Sequence, residues 1–210
     1  MDEPDDGQYG IRNEEGVDYL ARGKTLLIAT TEMAMRGRHN QENALAALAA
    51  GEILGFGMPA MLQVLNEFPG LPHRMQFVGR KGAVDFINDS KATNVAAAVA
   101  SVDSIDGMIV LLAGGEGKGG DFAQLATALE NKLRAAVLIG TDADKISDAL
   151  DTVRPVYFAV DMDDAVQQAA AYADADDTVL LAPACASFDQ FENYGARGDA
   201  FAQAVGALPR

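Results

Sequence analysis

Cysteine is almost absent from this chain. Cys185 stands alone, which excludes an internal disulfide and fits a reducing compartment. Histidine is nearly as rare: His39 and His73 lie far apart, neither in a recognisable partner motif. That argues against a zinc site and against a histidine-activated nucleophile. Basic residues are scarce too, 16 Lys and Arg against 31 Asp and Glu, for a net charge of −15. Nucleic acid and anionic membrane, which need a broad basic surface, are excluded as main partners. No apolar run approaches the roughly 20 residues of a membrane-spanning helix. The acidic opening, Met1-Asp2-Glu3-Pro4-Asp5-Asp6, is the opposite of a secretory signal, and the expected location is the cytoplasm.

What is present is ordinary for a soluble globular chain: 49% hydrophobic and 22% charged residues over 210 positions. That length suits one good-sized domain plus part of another. The first forty residues predict short strands at 8–11, 17–22 and 24–30. Ala/Leu-rich spacing of three and four then predicts a helix over 43–54 ending at Gly55 or Gly57, and Pro59 opens a second helix reaching about Phe68. Pro69-Gly70-Leu71-Pro72 is a turn-rich break and the expected domain boundary.

Beyond the break, strands are expected at 75–78, 83–88, 108–113, 135–140, 156–160 and 178–182. Helices are expected at 94–104, 121–133, 142–150 and 162–174, with a last one after Gly195. The runs 109–113, 136–139 and 179–182 are apolar throughout, as in parallel strands buried on both faces. The alternation predicts an open, doubly wound α/β sheet, whose ligands bind beyond the C-terminal ends of its strands.

Three loops following strands can therefore carry chemistry. In Asn88-Asp89-Ser90-Lys91-Ala92-Thr93-Asn94, helix capping by Asp89, Ser90 or Thr93 is the plain explanation. Capping does not account for Lys91, a cation at the positive end of a helix dipole, which suggests an anion. Gly114-Gly115-Glu116-Gly117-Lys118-Gly119-Gly120 has five glycines in seven residues, which allows close backbone approach. Gly115, Gly117 and Gly120 also match a dinucleotide-binding fingerprint with Asp142 as the ribose acid, although Lys118 sits in the tight turn and Asp142 in a capping context. The third loop, Pro183 to Ser187, leads toward a helix and reads equally as an anion seat or a capped turn. Cys185, set among alanines, reads as core. A nicotinamide or flavin domain and a non-enzymatic interaction module both stand as alternatives on these residues alone.

Five segments in order, 39–50, 70–74, 88–94, 114–122 and 182–198, resemble the Mur ligase family. The most specific are Asp89-Ser90-Lys91-Ala92-Thr93-Asn94 and Pro183-Ala184-Cys185-Ala186-Ser187-Phe188-Asp189-Gln190-Phe191, which are similar to the members that add D-glutamate. The resemblance implies an ATP-dependent ligase joining D-glutamate to UDP-N-acetylmuramoyl-L-alanine through an acyl phosphate, in peptidoglycan synthesis. It implies that residues 1–71 are the tail of a central α/β ATPase domain. Residues 72–210 would then be a C-terminal Rossmann-like domain presenting the amino acid, in a monomeric enzyme. ATP and magnesium are the implied cofactors, with the magnesium ligands upstream of this chain. By position, Asn40 is implied to contact adenine, Arg74 the ATP phosphates and Asp89 the ribose hydroxyls. Lys91 is implied to lie beside the reacting groups. Thr93, Lys118, Ser187 and Tyr194 are implied to hold the D-glutamate carboxylates, with Phe188 in the same substrate-binding set. Glu116 stands where the family often has Asp, and Tyr194 where it often has Phe.

Overall fold

A computed structural model describes residues 3–35, 37–151, 153 and 155–209; the side chain of His39 lies outside the described part. The chain divides into two compact units, Met1–Gly70 and Leu71–Arg210.

The first unit is an antiparallel sheet in the order β1(Tyr9–Glu14), β2(Val17–Arg22), β3(Thr25–Ala29), followed by α1(Arg38–Ile53) and α2(Met58–Glu67). Glu15 and Gly16 both take positive φ (51° and 84°) in the two-residue turn between β1 and β2, the backbone that matches strand twist in a tight hairpin. Leu20, Ile28 and Met33 pack with Ala44, Leu45 and Leu48 of α1 and Leu65 of α2, so α1 contributes one apolar stripe. α1 begins at Arg38, five residues before the Ala/Leu-rich stretch. It ends at Gly55 as expected: the Gly55 N–H donates to Glu52 O and the Phe56 N–H to Gly51 O, satisfying two terminal carbonyls.

The second unit holds a six-stranded sheet in the order β4(Gln76–Lys81), β5(Val84–Asn88), β9(Thr178–Leu181), β6(Ile109–Gly114), β7(Leu133–Ile139), β8(Val156–Phe158). All neighbours are parallel except β4, which folds back antiparallel on β5 at the edge. Interleaved are α3(Val95–Asp103), α4(Ala123–Leu129), α5(Ala143–Ala149), α6(Met162–Tyr172) and α7(Tyr194–Ala207).

Side-chain alternation divides the core in two. Ile109, Leu111, Ala113, Leu138 and Leu180 meet residues of α3, α4 and α5, whereas Val110, Leu112, Val137, Val179 and Leu181 meet α6 and α7. Each such Leu or Val buried stabilises by about 1.5–3 kcal/mol. This is the doubly wound, mostly parallel Rossmann-like sheet that the apolar runs predict.

Two expectations need correction. The helix expected over 121–133 stops at Leu129, because the chain must turn into β7. There Lys132 Nζ donates to the carbonyls of Val102 (3.1 Å) and Ile105 (2.8 Å), closing the end of α3. The strand expected over 156–160 covers only Val156–Phe158, whereas the last helix, expected after Gly195, begins at Tyr194, capped by Asn193. Among the described residues no helix is long and apolar enough to cross a membrane.

Candidate functional site

The sheet changes winding direction between β6 and β9. The helix after β6 packs on one face and the helix after β9 on the other. At such a switch point the loops part and leave a crevice beyond the strand ends. The 88–94, 114–122 and 182–191 loops all start there.

Backbone hydrogen bonds knit these loops together. Glu116 and Ala186 exchange N–H···O bonds of 2.9 Å in both directions, joining the glycine loop to the loop after β9. The Ala184 N–H donates to Ala92 O (3.0 Å), and the Gly114 N–H to Pro183 O (2.9 Å). The glycines serve this interlocking. A Cβ at Gly114 would lie 1.8 Å from Ile139 O, and one at Gly115 2.1 Å from Ala186 O. Of the fingerprint-like glycines, Gly115 faces the Ala186 backbone and Gly117 the Phe122 and Asp142 side chains, so the protein itself fills that space.

Beneath the loops lies Arg197 of α7, 1% exposed and, among the described residues, without a carboxylate ion-pair partner. Its guanidinium donates to Ser90 Oγ (3.0 Å), Ser90 O (2.9 Å), Cys185 O (3.1 Å) and Gly114 O (3.4 Å). One side chain therefore ties all three loops. Burial pulls its pKa down to about 10, leaving it cationic at neutral pH. The sequence offered no signal for this beyond an Arg-Gly pair in the last helix.

Above the knot the candidate residues converge. Lys91, half-buried, holds Nζ 4.2 Å from the centre of the Tyr194 ring, and Tyr194 is 37% exposed. Lys118, in a left-handed backbone conformation (φ 47°), holds Nζ 5.5 Å from the Phe188 ring. Both are cation–π contacts on the open side of the loops. Thr93 is half-buried two residues from Lys91, its N–H donating to Lys91 O (2.8 Å). Ser187 is 1% exposed at the root of the loop that bears Phe188. Ser90, whose hydroxyl donates to Tyr194 O (2.7 Å), couples the Lys91 loop to the start of α7.

The capping explanations are corrected. α3 is capped by Asn94, which accepts from the Ala97 N–H. Asp89 instead faces the 73–76 turn: it accepts from the Met75 N–H (3.3 Å) and from the Ser101 hydroxyl. Arg74, exposed, is the neighbour of Met75, so Arg74 and Asp89 share one corner of the second unit. Asn40 is half-buried in α1 of the first unit. Asp142 stands at the N-cap position of α5 but makes no cap bond. It accepts from the Gly117 N–H (2.6 Å) and pairs with Lys145 Nζ (2.6 Å). Those contacts, the Lys145 bond first, hold its carboxyl below the usual range.

His73 is a further residue that sequence reasoning left unassigned. Asn88 Oδ1 accepts from the Ser90 N–H, so Asn88 Nδ2 donates to Gly198 O (2.9 Å) and faces His73 Nδ1 at 3.2 Å. Nδ1 is then the acceptor and Nε2 carries the proton. The ring stacks edge-on against Tyr194 at 6.4 Å. Cys185 is fully buried and burial pushes its thiol up to about 12, which makes it core and not a nucleophile. The arrangement offers cations, hydroxyls and N–H groups for anionic ligands, held by a rigid base. Among the described residues no group of three or more His, Cys, Asp or Glu side chains could hold a metal ion.

Comparisons with known proteins bear on the same segments. Residues 73–185 match the family model described as Mur ligase, glutamate ligase domain. The UDP-N-acetylmuramoylalanine–D-glutamate ligase of Chromohalobacter salexigens is 48% identical over 206 residues, covering 96% of this chain and 45% of that protein. The enzyme of the same name from Pseudomonas putida is 46% identical, covering 99% and 47%. This chain thus spans about half the length of the curated relatives it matches. A folylpolyglutamate synthase of Mycobacterium tuberculosis, solved with ADP and AMPPCP, superposes with a TM-score of 0.65 at 17% identity, covering 98% of this chain and 50% of that one. The UDP-N-acetylmuramate–alanine ligase of Thermotoga maritima gives 0.62 at 16%, covering 91% and 43%. At those identities the likeness concerns the fold. With more than half of the chain matched by the family model and close to half of its residues shared with those relatives, this chain belongs to the Mur ligase family.

Proposed function

We propose that this chain is the C-terminal part of a ligase that adds D-glutamate to UDP-N-acetylmuramoyl-L-alanine at the expense of ATP, in peptidoglycan synthesis. In this reading residues 1–71 close a central ATPase domain and residues 72–210 present the amino acid. The observation that carries it is the convergence of Lys91, Thr93, Lys118, Ser187, Phe188 and Tyr194 on the loops at one end of the sheet, with no activated nucleophile among them.

Amide formation from an activated carboxylate needs an incoming amine held in line, and no covalent help from this part of the protein. D-Glutamate carries two carboxylates. Lys118 and the hydroxyls of Thr93 and Ser187 supply charge-assisted donors for them, and the Phe188 and Tyr194 rings flank the cations. Lys91 sits where it offsets negative charge gathering at the reacting groups. Arg74 and Asp89 are the second unit's contribution to ATP, guanidinium to phosphate and carboxylate to ribose. Asn40 is assigned to adenine from the first unit. Magnesium would be held by residues of the upstream portion. The expected location is the cytoplasm.

The test uses the enzyme completed with the upstream portion that its relatives carry. Phosphate release from ATP with UDP-N-acetylmuramoyl-L-alanine should depend on D-glutamate and not on L-glutamate. Lys118→Ala should raise the KM for D-glutamate on the order of tenfold or more, the scale of one lost charged hydrogen bond. A D-glutamate dependence unchanged by that substitution refutes the role of Lys118. Release indifferent to D-glutamate refutes the function.

A further inference from the structure

We propose that Asp142 is a positioning residue whose carboxylate buckles the glycine loop into the shape that directs Lys118 at an anionic substrate group. The proposal rests on the reading of Lys118 given above.

Three observations carry it. A carboxylate at the N-cap of a helix ordinarily accepts from that helix's own first N–H groups. Asp142 does not, although it stands directly before α5. Its two oxygens are used elsewhere, Oδ2 by the Gly117 N–H at 2.6 Å and Oδ1 by Lys145 Nζ at 2.6 Å. Its own N–H also donates to Gly115 O at 3.0 Å, so the residue grips the loop at two points on either side of Glu116. The fit is close: a Cβ at Gly117 would lie 3.2 Å from Asp142 Oδ2 and 2.8 Å from the Phe122 ring.

The residue after Gly117 is Lys118, held at φ 47°. A non-glycine residue stays in that left-handed region only when its surroundings over-determine it. Asp142 constrains the loop through Gly115 and Gly117, and the Glu116–Ala186 bridge constrains it from the loop after β9. Lys118 itself is exposed and, among the described residues, has no acidic partner, so these constraints leave its charge available. Lys145 is different. At 66% side-chain exposure it neutralises Asp142 from outside and is dispensable for the buckle.

Substitutions at 142 form a ladder. Asn keeps the size and one acceptor for Gly117 but turns an amide N–H₂ toward Lys145, which can swing into solvent. Ala keeps nothing. In the completed enzyme the KM for D-glutamate should rise about threefold for Asp142→Asn and on the order of tenfold for Asp142→Ala, with kcat and the KM for ATP within about twofold. Lys145→Ala should change the D-glutamate KM by less than about twofold. In a Lys118→Ala background the Asp142 ladder should collapse, because the group being positioned is gone.

Amide exchange in the present 210-residue chain gives a readout independent of activity. The Gly117 N–H should exchange at least about tenfold faster in Asp142→Ala, while the amides of Leu111 and Leu112 in β6 keep their rates. Unchanged Gly117 exchange overturns the proposal, as do equal KM effects with and without Lys118. If Gly117 exchange rises while Lys118→Ala leaves the D-glutamate KM unmoved, the buckle exists but what it positions is not a substrate-binding lysine. That outcome overturns the reading of Lys118, and this use of Asp142 with it.

Discussion

The two units are built from similarly apolar sequence and use it differently. In Leu71–Arg210 the central strands are covered on both faces, and β6 is buried at every position. In Met1–Gly70 the core is a thin seam of a few side chains between three strands and two helices. Around it Ile53, Leu54, Phe56 and Val64 are left 57–86% exposed. The difference teaches that hydrophobic content does not decide stability; closure of the layers does.

The largest effect follows from separating the two. Residues 71–210 alone should give a cooperative thermal transition, because their core is complete. Residues 1–70 alone should show none by circular dichroism, since about 70 residues with an open core barely offset chain entropy. A sharp melt for 1–70 breaks the comparison, and a gradual melt for 71–210 reverses it.

A smaller effect sharpens it. Arg197→Met leaves the carbonyls of Ser90 and Cys185 buried without donors, while removing a buried cation relieves part of that loss. The net cost in unit two should be about 3 kcal/mol in a denaturant titration. In unit one, Arg22 pairs with Glu52 at 3.0 Å, but the two side chains are 45% and 39% exposed. Arg22→Met should therefore cost less than about 1 kcal/mol. Equal costs would mean that Arg197 does not tie the loops.

Much of this was legible beforehand. The runs at 109–113, 136–139 and 179–182 revealed strands buried on both faces, because every side chain there must find apolar company. The Gly55 stop of α1 was legible because its geometry is local. What stayed hidden depends on contacts distant in sequence. Nothing local tells β4 that it will lie antiparallel at an edge, or distinguishes Arg197 from a surface arginine. Asp142 was misread for the same reason: the residue it serves, Gly117, lies 25 positions away on another strand's loop. The glycine loop misled in a different manner, since glycines needed for backbone interlocking look the same as glycines needed for a cofactor.

Acid provides the mildest test of the contrast between an enclosed unit and an open one. Asp177, 4% exposed in unit two, accepts from Arg134 Nε (2.8 Å) and Nη2 (3.2 Å), and from the Asp174 N–H (2.9 Å). Burial alone would push its carboxyl up, but the Arg134 hydrogen bonds and the Asp174 N–H outweigh that and bring it below its ordinary 3.8. A carboxyl depressed in the folded state adds stability that is fully present above its unfolded value and is lost as pH falls through the folded one. Unit two should therefore weaken below about pH 4, and Asp177→Asn should remove roughly 1 kcal/mol at neutral pH while flattening that decline. Thermal melts of residues 71–210 at a series of pH values between 2 and 7 measure both. A variant that melts with the same acid slope as the parent would show that the Arg134 pair contributes nothing, and that the enclosed unit is held by its apolar layers and by Arg197 without help from its rim.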